Sequence, residues 1–129
     1  MLVFQSQGKV VDAYNTCSFV LLQLGETIPD SVSPEFAKAM VKDTLSMYEE
    51  NYDENWLDRK MEDKKLRAVV KFYSAIIFHA FFCKSYGMVI FFTCKAVQFS
   101  LRNGPCVYTP LSLLQLIGFV MEGDVSKDL

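Results

Sequence analysis

The chain contains one histidine, His79, and one tryptophan, Trp56. A single imidazole excludes any two-histidine metal site, and any serine- or cysteine-based dyad has only His79 to draw on. Glycine is sparse, and Gly8, Gly25, Gly87, Gly104, Gly118 and Gly123 never cluster. Neither a P-loop nor a dinucleotide fingerprint is therefore present, and nucleotide binding has no visible basis. An excess of either charge is also lacking: 13 basic residues stand against 15 acidic ones, a net charge of -2. Without a basic field to release counterions from a phosphate backbone, nucleic acid is not an expected partner. Cys17, Cys83, Cys94 and Cys106 lie far apart. They show neither the close pairs of a zinc site nor the density of a secreted disulfide scaffold, and read as reduced, mostly buried thiols. The opening "MLVFQSQGKV" has no basic leader or cleavage site, and "VSKDL" matches no retention or peroxisomal address, so a cytoplasmic location is the expectation.

What the sequence does have is apolar content. At 129 residues and 51% hydrophobic, residues 1–129 are expected to form one domain that buries its own core. Val10, Val11, Tyr14, Cys17, Val20, Leu21 and Leu24 follow the three-and-four spacing of a helix face, with Gly25 placed as a stop. Ser33 and Pro34 read as the cap and first residue of a second helix, carried on by Phe36, Ala37, Met40, Val41, Thr44, Leu45 and Tyr48. From Glu49 to Arg67, "EENYDENWLDRKMEDKKLR" holds twelve charged residues, with Trp56 and Leu57 as its main apolar anchors. This reads as a solvated connection, about 49–62, with room for one helical turn.

Asp63 is placed to cap a third helix that continues into "KFYSAIIFHAFFCKSYGMVIFFTCKAV", residues 71–97. About 20 apolar residues suffice to span a bilayer, so a membrane span near 72–94 is the competing reading. On an insertion scale the apolar gains of roughly 0.3 to 0.6 kcal/mol per residue are nearly cancelled by the cost of about 2.5 to 3.5 kcal/mol for a central lysine, here Lys84. Register decides for a soluble hairpin. Polar positions recur at Lys64, Arg67, Lys71 and Ser74 on one side of "KSYG" and at Lys95, Gln98 and Arg102 on the other, whereas a lipid-facing helix is apolar all round. The two helices are expected to meet at Lys84 to Gly87. Asn103 and Gly104 then stop the fourth, and Thr109 with Pro110 opens a last helix, "LSLLQLIGFVM", expected to end near Gly123.

No residue in this pattern carries an expected catalytic, cofactor-binding or metal role. His79 sits among apolar neighbours and reads as a core histidine holding one hydrogen bond. Cys83, four residues later, forms a cysteine-histidine pair on paper, but an apolar setting raises a thiol's pKa and only Lys84 would oppose that. The carboxylate pairs Asp53/Glu54 and Asp58/Glu62 are spaced like exposed helix side chains rather than a buried acid-base couple. The eleven phenylalanines and six tyrosines read as helix packing.

Three segments, "VLLQLGETIPDSVSP" at 20–34, "AVQFSLRNGPCVYTPLSLLQLIG" at 96–118 and "EGD" at 122–124, carry a resemblance. They resemble the tetratricopeptide-like helical array of large signalling proteins that join an AAA-type or STAND-class ATPase, sometimes preceded by a kinase-like domain, to sensor and histidine-kinase or cyclase domains. The resemblance covers roughly residues 8–124 and includes none of the family's catalytic parts. It implies an all-α chain of five or six antiparallel helices in an α-solenoid, forming a segment of a longer polypeptide. The implied role is a non-enzymatic scaffold or spacer that contacts protein partners, neighbouring repeats or another copy of itself, with no cofactor and no small-molecule substrate. A small integral membrane protein and, last, a thiol enzyme using Cys83 and His79 are the alternatives.

Overall fold

A computed structural model describes the backbone of residues 2–128 except Tyr52, and the side chains of residues 8–121 except Tyr52 and Leu57. The described residues are all-α, with five helices and no strand: α1 (Leu2–Gln23), α2 (Pro34–Asn51), α3 (Lys64–Cys83), α4 (Tyr86–Asn103) and α5 (Thr109–Asp128). A short 3-10 turn, Trp56–Asp58, interrupts the link between α2 and α3.

The helix boundaries follow from local chemistry. At the end of α1, Gly25 takes φ 92°. The Glu26 amide then donates to the Leu21 carbonyl at 2.9 Å and the Gly25 amide to Leu22 at 3.0 Å, the paired closure that a left-handed residue permits. The Ser33 hydroxyl caps α2 by accepting from the Phe36 amide at 3.1 Å, and Pro34 fills the position where a missing N–H costs nothing. Asp63 caps α3, one carboxylate oxygen accepting from the amides of Lys65 at 2.8 Å and Leu66 at 3.2 Å. Between α3 and α4, Lys84 is extended and Ser85 caps the new helix, so residues 72–94 form a hairpin and not one continuous span. One boundary differs from expectation. α5 continues through Gly118 and Gly123 to Asp128; a glycine stops a helix only where the chain turns away from it.

The packing is built around α4, which buries ten of its residues, from Met88 to Leu101. It lies against α3, α2 and α5, while α1 packs against α3. The main pairings therefore join α1 to α3 and α2 to α4, with α3 and α4 bridging the two pairs. Phe92 is fully buried at the centre. Its ring meets those of Tyr14 at 6.1 Å and Tyr73 at 6.2 Å, edge-on and tilted arrangements that aromatic quadrupoles favour.

The charged connection is not simply solvated. Trp56 is 1% exposed, its indole N–H donating to the Ser100 carbonyl at 3.1 Å. Met61 is buried as well, and its amide donates to the Pro105 carbonyl at 3.2 Å. The segment is thus fastened to the C-terminal end of α4, with its carboxylates left outside. Leu57, the other expected anchor, lies outside the described side chains. Gly104 makes the fit feasible: at φ 93°, a Cβ there would stand 2.7 Å from the Arg59 carbonyl oxygen. Gly87 serves the same purpose at the start of α4, where a Cβ would meet the Val32 carbonyl at 2.7 Å.

Candidate functional site

Tyr73 and Glu26 form a long-range bond between a buried phenol and a carboxylate. The Tyr73 hydroxyl donates to Glu26 Oε1 at 2.5 Å, tying the loop after α1 to the middle of α3. Burial first, then the Glu26 hydrogen bond, pushes the Tyr73 phenol well above its ordinary pKa. That keeps it a hydrogen-bond donor and makes it unfit as a base. Across the bundle, Gln98 donates to the Thr44 hydroxyl at 2.9 Å, and Thr44 in turn donates to the Met40 carbonyl at 2.7 Å. Gln98 and Lys95 are half-buried. The polar stripe expected on α4 therefore faces α2 in part, and only Arg102 of the three is exposed. Below Trp56, the hydroxyls of Ser100 and Thr109 are 2.8 Å apart, and Thr109 Oγ1 accepts from the Cys106 amide at 2.9 Å. Thr109 thus holds the turn before α5 and is not the free cap that its place before Pro110 implied.

His79 and Cys83 do share one side of α3, yet they do not make a dyad. The Cys83 thiol donates to the His79 backbone carbonyl at 3.2 Å. The imidazole instead meets the edge of Phe78, with ring centroids 5.6 Å apart. Its Nδ1 is buried without a hydrogen-bond partner, so the single bond expected for a core histidine is missing at that nitrogen. Nucleophilic catalysis needs the thiolate against the imidazole, and this geometry does not supply it. The remaining thiols divide by depth. Cys17 and Cys94 are buried, Cys83 and Cys106 half-buried, and none is bonded to another. Burial pushes the Cys94 thiol up to about 11, an effect only partly opposed by the Thr44 hydroxyl, and raises Cys17 as well. These are inert packing groups at neutral pH. Among the described residues, no group of three or more histidine, cysteine or acidic side chains is arranged to hold a metal ion.

The features that packing does not account for lie on the surface. Phe78, Phe81 and Phe82, at the end of α3, are 62 to 64% exposed. Their rings touch edge to face, Phe78 to Phe82 at 5.2 Å and Phe81 to Phe82 at 5.5 Å. Next to them Tyr86 is exposed and its ring meets Phe119 at 5.4 Å. On α5, Leu111, Leu114, Ile117 and Met121 form a second exposed apolar line. Contiguous apolar surface of this kind is uncommon on a monomeric domain, which makes it the candidate interaction surface. Its aromatic part was visible in the sequence as "FHAFF", but with all aromatics assigned to the core nothing there separated outward rings from inward ones. By length and composition α3 is also able to cross a membrane, and only a third of its apolar window is buried in the protein. No protein-family model, curated protein or solved structure matches the chain.

Proposed function

We propose that the chain is a non-enzymatic helical-repeat segment, a scaffold or spacer making protein-protein contacts in the cytoplasm as part of a larger signalling protein. The supporting observation is the order of packing: α1 on α3 and α2 on α4, two rows joined through α3 and α4, with α5 added against α4. Stacking one helix row on the next is how helix-pair arrays extend, a pattern followed by α1 on α3 and α2 on α4 but not by α5, which lies mainly against α4, and it leaves apolar faces for neighbours to cover. The exposed lines on α3 and α5 have that character. The resemblance to the tetratricopeptide-like arrays of ATPase-coupled signalling proteins points the same way.

Native-state hydrogen exchange tests this reading. In a stacked array, protection is highest where a helix has neighbours on both sides and declines outward. The expected order is α4 and α3 above α2, α1 and α5. Uniform protection across all five helices, lost in a single cooperative step, would count against a repeat. A second reading, a small integral membrane protein held by α3, is favoured by the apolar and largely uncovered surface of that helix. Alkaline carbonate extraction of expressing cells separates the two: release into the supernatant is expected for the scaffold, retention for the membrane protein.

A further inference from the structure

From Lys64 to Asn103 the hairpin of α3 and α4 carries seven basic residues, Lys64, Lys65, Arg67, Lys71, Lys84, Lys95 and Arg102, and no acidic one. Three of these cations sit instead over aromatic rings: Lys84 over Tyr14 at 5.0 Å, Lys95 over Phe91 at 5.8 Å and Lys71 over Phe72 at 6.0 Å. On α3, the face turned away from Val69, Val70, Tyr73, Ile76, Ile77 and Ala80 forms one straight line. It reads Lys64, Arg67, Lys71, then half-buried Ser74 and Ala75, then Phe78 and Phe82. The first half is cationic, the middle small, the second half aromatic.

We propose that this line is a two-fold interface for a second copy of the chain, with the two α3 helices antiparallel and the axis passing between Ser74 and Ala75. In that register each Lys71 faces the other copy's Phe78, and each Arg67 faces its Phe82. A line that is basic at one end and aromatic at the other matches itself only when reversed, the requirement for a closed, isologous pair. Cations then meet ring faces, a favourable contact once water is excluded. The two basic clusters end up at opposite ends, and the small residues at the centre let the helices approach closely. A parallel pair would set lysine against lysine.

A bilayer suits the line less well. Interfacial helices separate charge from apolar surface around the circumference, whereas here both occur along one edge and would reach the same depth. The size of the contact sets its strength. An aromatic ring buries about 150–250 Å² in full, and Phe78 and Phe82 are 63% and 62% exposed. Four such rings with the adjoining lysine and arginine stems would cover on the order of 1,000 Å² in total, the low end for specific complexes, so the dimer is concentration-dependent. The inference shares the exposed α3 phenylalanines with the repeat reading and assigns them to a second copy in place of a neighbouring repeat, so a dimer can form or fail whichever order of hydrogen-exchange protection is found.

Sedimentation velocity over a concentration series of the full chain is the test, with circular dichroism to verify folding. The wild type is expected to shift from monomer to dimer. Phe78→Lys, which sets lysine against Lys71 of the other copy, should weaken association about tenfold or more. Adding Lys71→Phe should restore it, because the exchanged pair is again complementary across the axis; Leu114→Glu on α5 should leave it unchanged. Spin labels at position 71 should lie about 14 Å apart at the backbone and labels at position 64 about 33 Å apart, from a rise of 1.5 Å per residue and a helix separation of 8–10 Å. A wild type that stays monomeric throughout, a double variant that fails to recover, or loss of the dimer in Leu114→Glu would overturn the proposal. So would a monomer that binds anionic phosphatidylserine vesicles through Phe78, which would assign the line to lipid.

Discussion

Replacing Trp56 by alanine asks whether the charged connection is part of the folded core. The indole is 1% exposed and its N–H reaches the Ser100 carbonyl at 3.1 Å. Truncating a buried tryptophan costs about 3–5 kcal/mol through lost burial and the cavity left behind. The Ser100 carbonyl is not orphaned by the change, because the Gly104 amide also donates to it at 2.9 Å. Losing the indole bond alone therefore costs only about 0.5–1.5 kcal/mol, and Trp56→Phe should fall near 1–2 kcal/mol with its slightly smaller ring. Urea unfolding followed by far-ultraviolet circular dichroism reads both variants. With a slope of about 2 kcal/mol per molar urea, Trp56→Ala should lower the midpoint by about 2 M. Against a total stability of roughly 6–19 kcal/mol for a chain of this length, that is a large loss. A loss below about 0.5 kcal/mol, the usual effect of a surface change, would refute the reasoning and return the connection to solvent.

Gly104→Ala should destabilise by more than Gly25→Ala. Both glycines have φ near 92°, but only Gly104 faces a carbonyl at 2.7 Å, so Gly25→Ala should cost about 1 kcal/mol by urea unfolding and Gly104→Ala clearly more. Asp63→Ala removes the acceptor for two amides at the start of α3 and should cost about 1 kcal/mol, with hydrogen exchange quickened in the first turn. The fold should weaken in alkali: burial holds the Cys94 thiol up to about 11 and the Tyr14 phenol up to about 12. The unfolded chain then releases those protons first, so stability present at neutral pH declines from about pH 9 upward. Cys94→Ala should flatten the decline between pH 9 and 11 in urea midpoints measured across that range, and an unchanged slope would remove Cys94 as its source.

The helix ends were legible because they depend on a few adjacent atoms. Ser33 before Pro34, Asp63 before Lys64, and Gly25 and Gly104 after their helices each satisfy local donors or acceptors, and all four stand where the spacing placed them. The hairpin at Lys84 to Gly87 was legible for the same reason. Gly123 misled because a glycine's freedom allows a stop without requiring one, and α5 runs on past it. The connection was expected to be solvated with Trp56 as an anchor; the anchor is buried as expected, but it draws Met61 in with it, and twelve surrounding charges gave no sign of that. No candidate catalytic site was expected, and His79 and Cys83 lie close in sequence without facing each other as a dyad.

By itself the sequence determined that the chain is helical and how most of the helices are divided. Those properties rest on periodicity, capping and composition, each set within a few residues. Only the tertiary structure decided that α1 lies on α3 and α2 on α4, that Trp56 is drawn under the end of α4, and that Phe78, Phe81 and Phe82 face outward. An apolar ring gains by leaving water wherever a surface is offered to it. Whether one is offered depends on neighbours brought together from distant parts of the chain, and on α3 the neighbours cover the side of Tyr73 and Ile76 and leave the phenylalanine edge open.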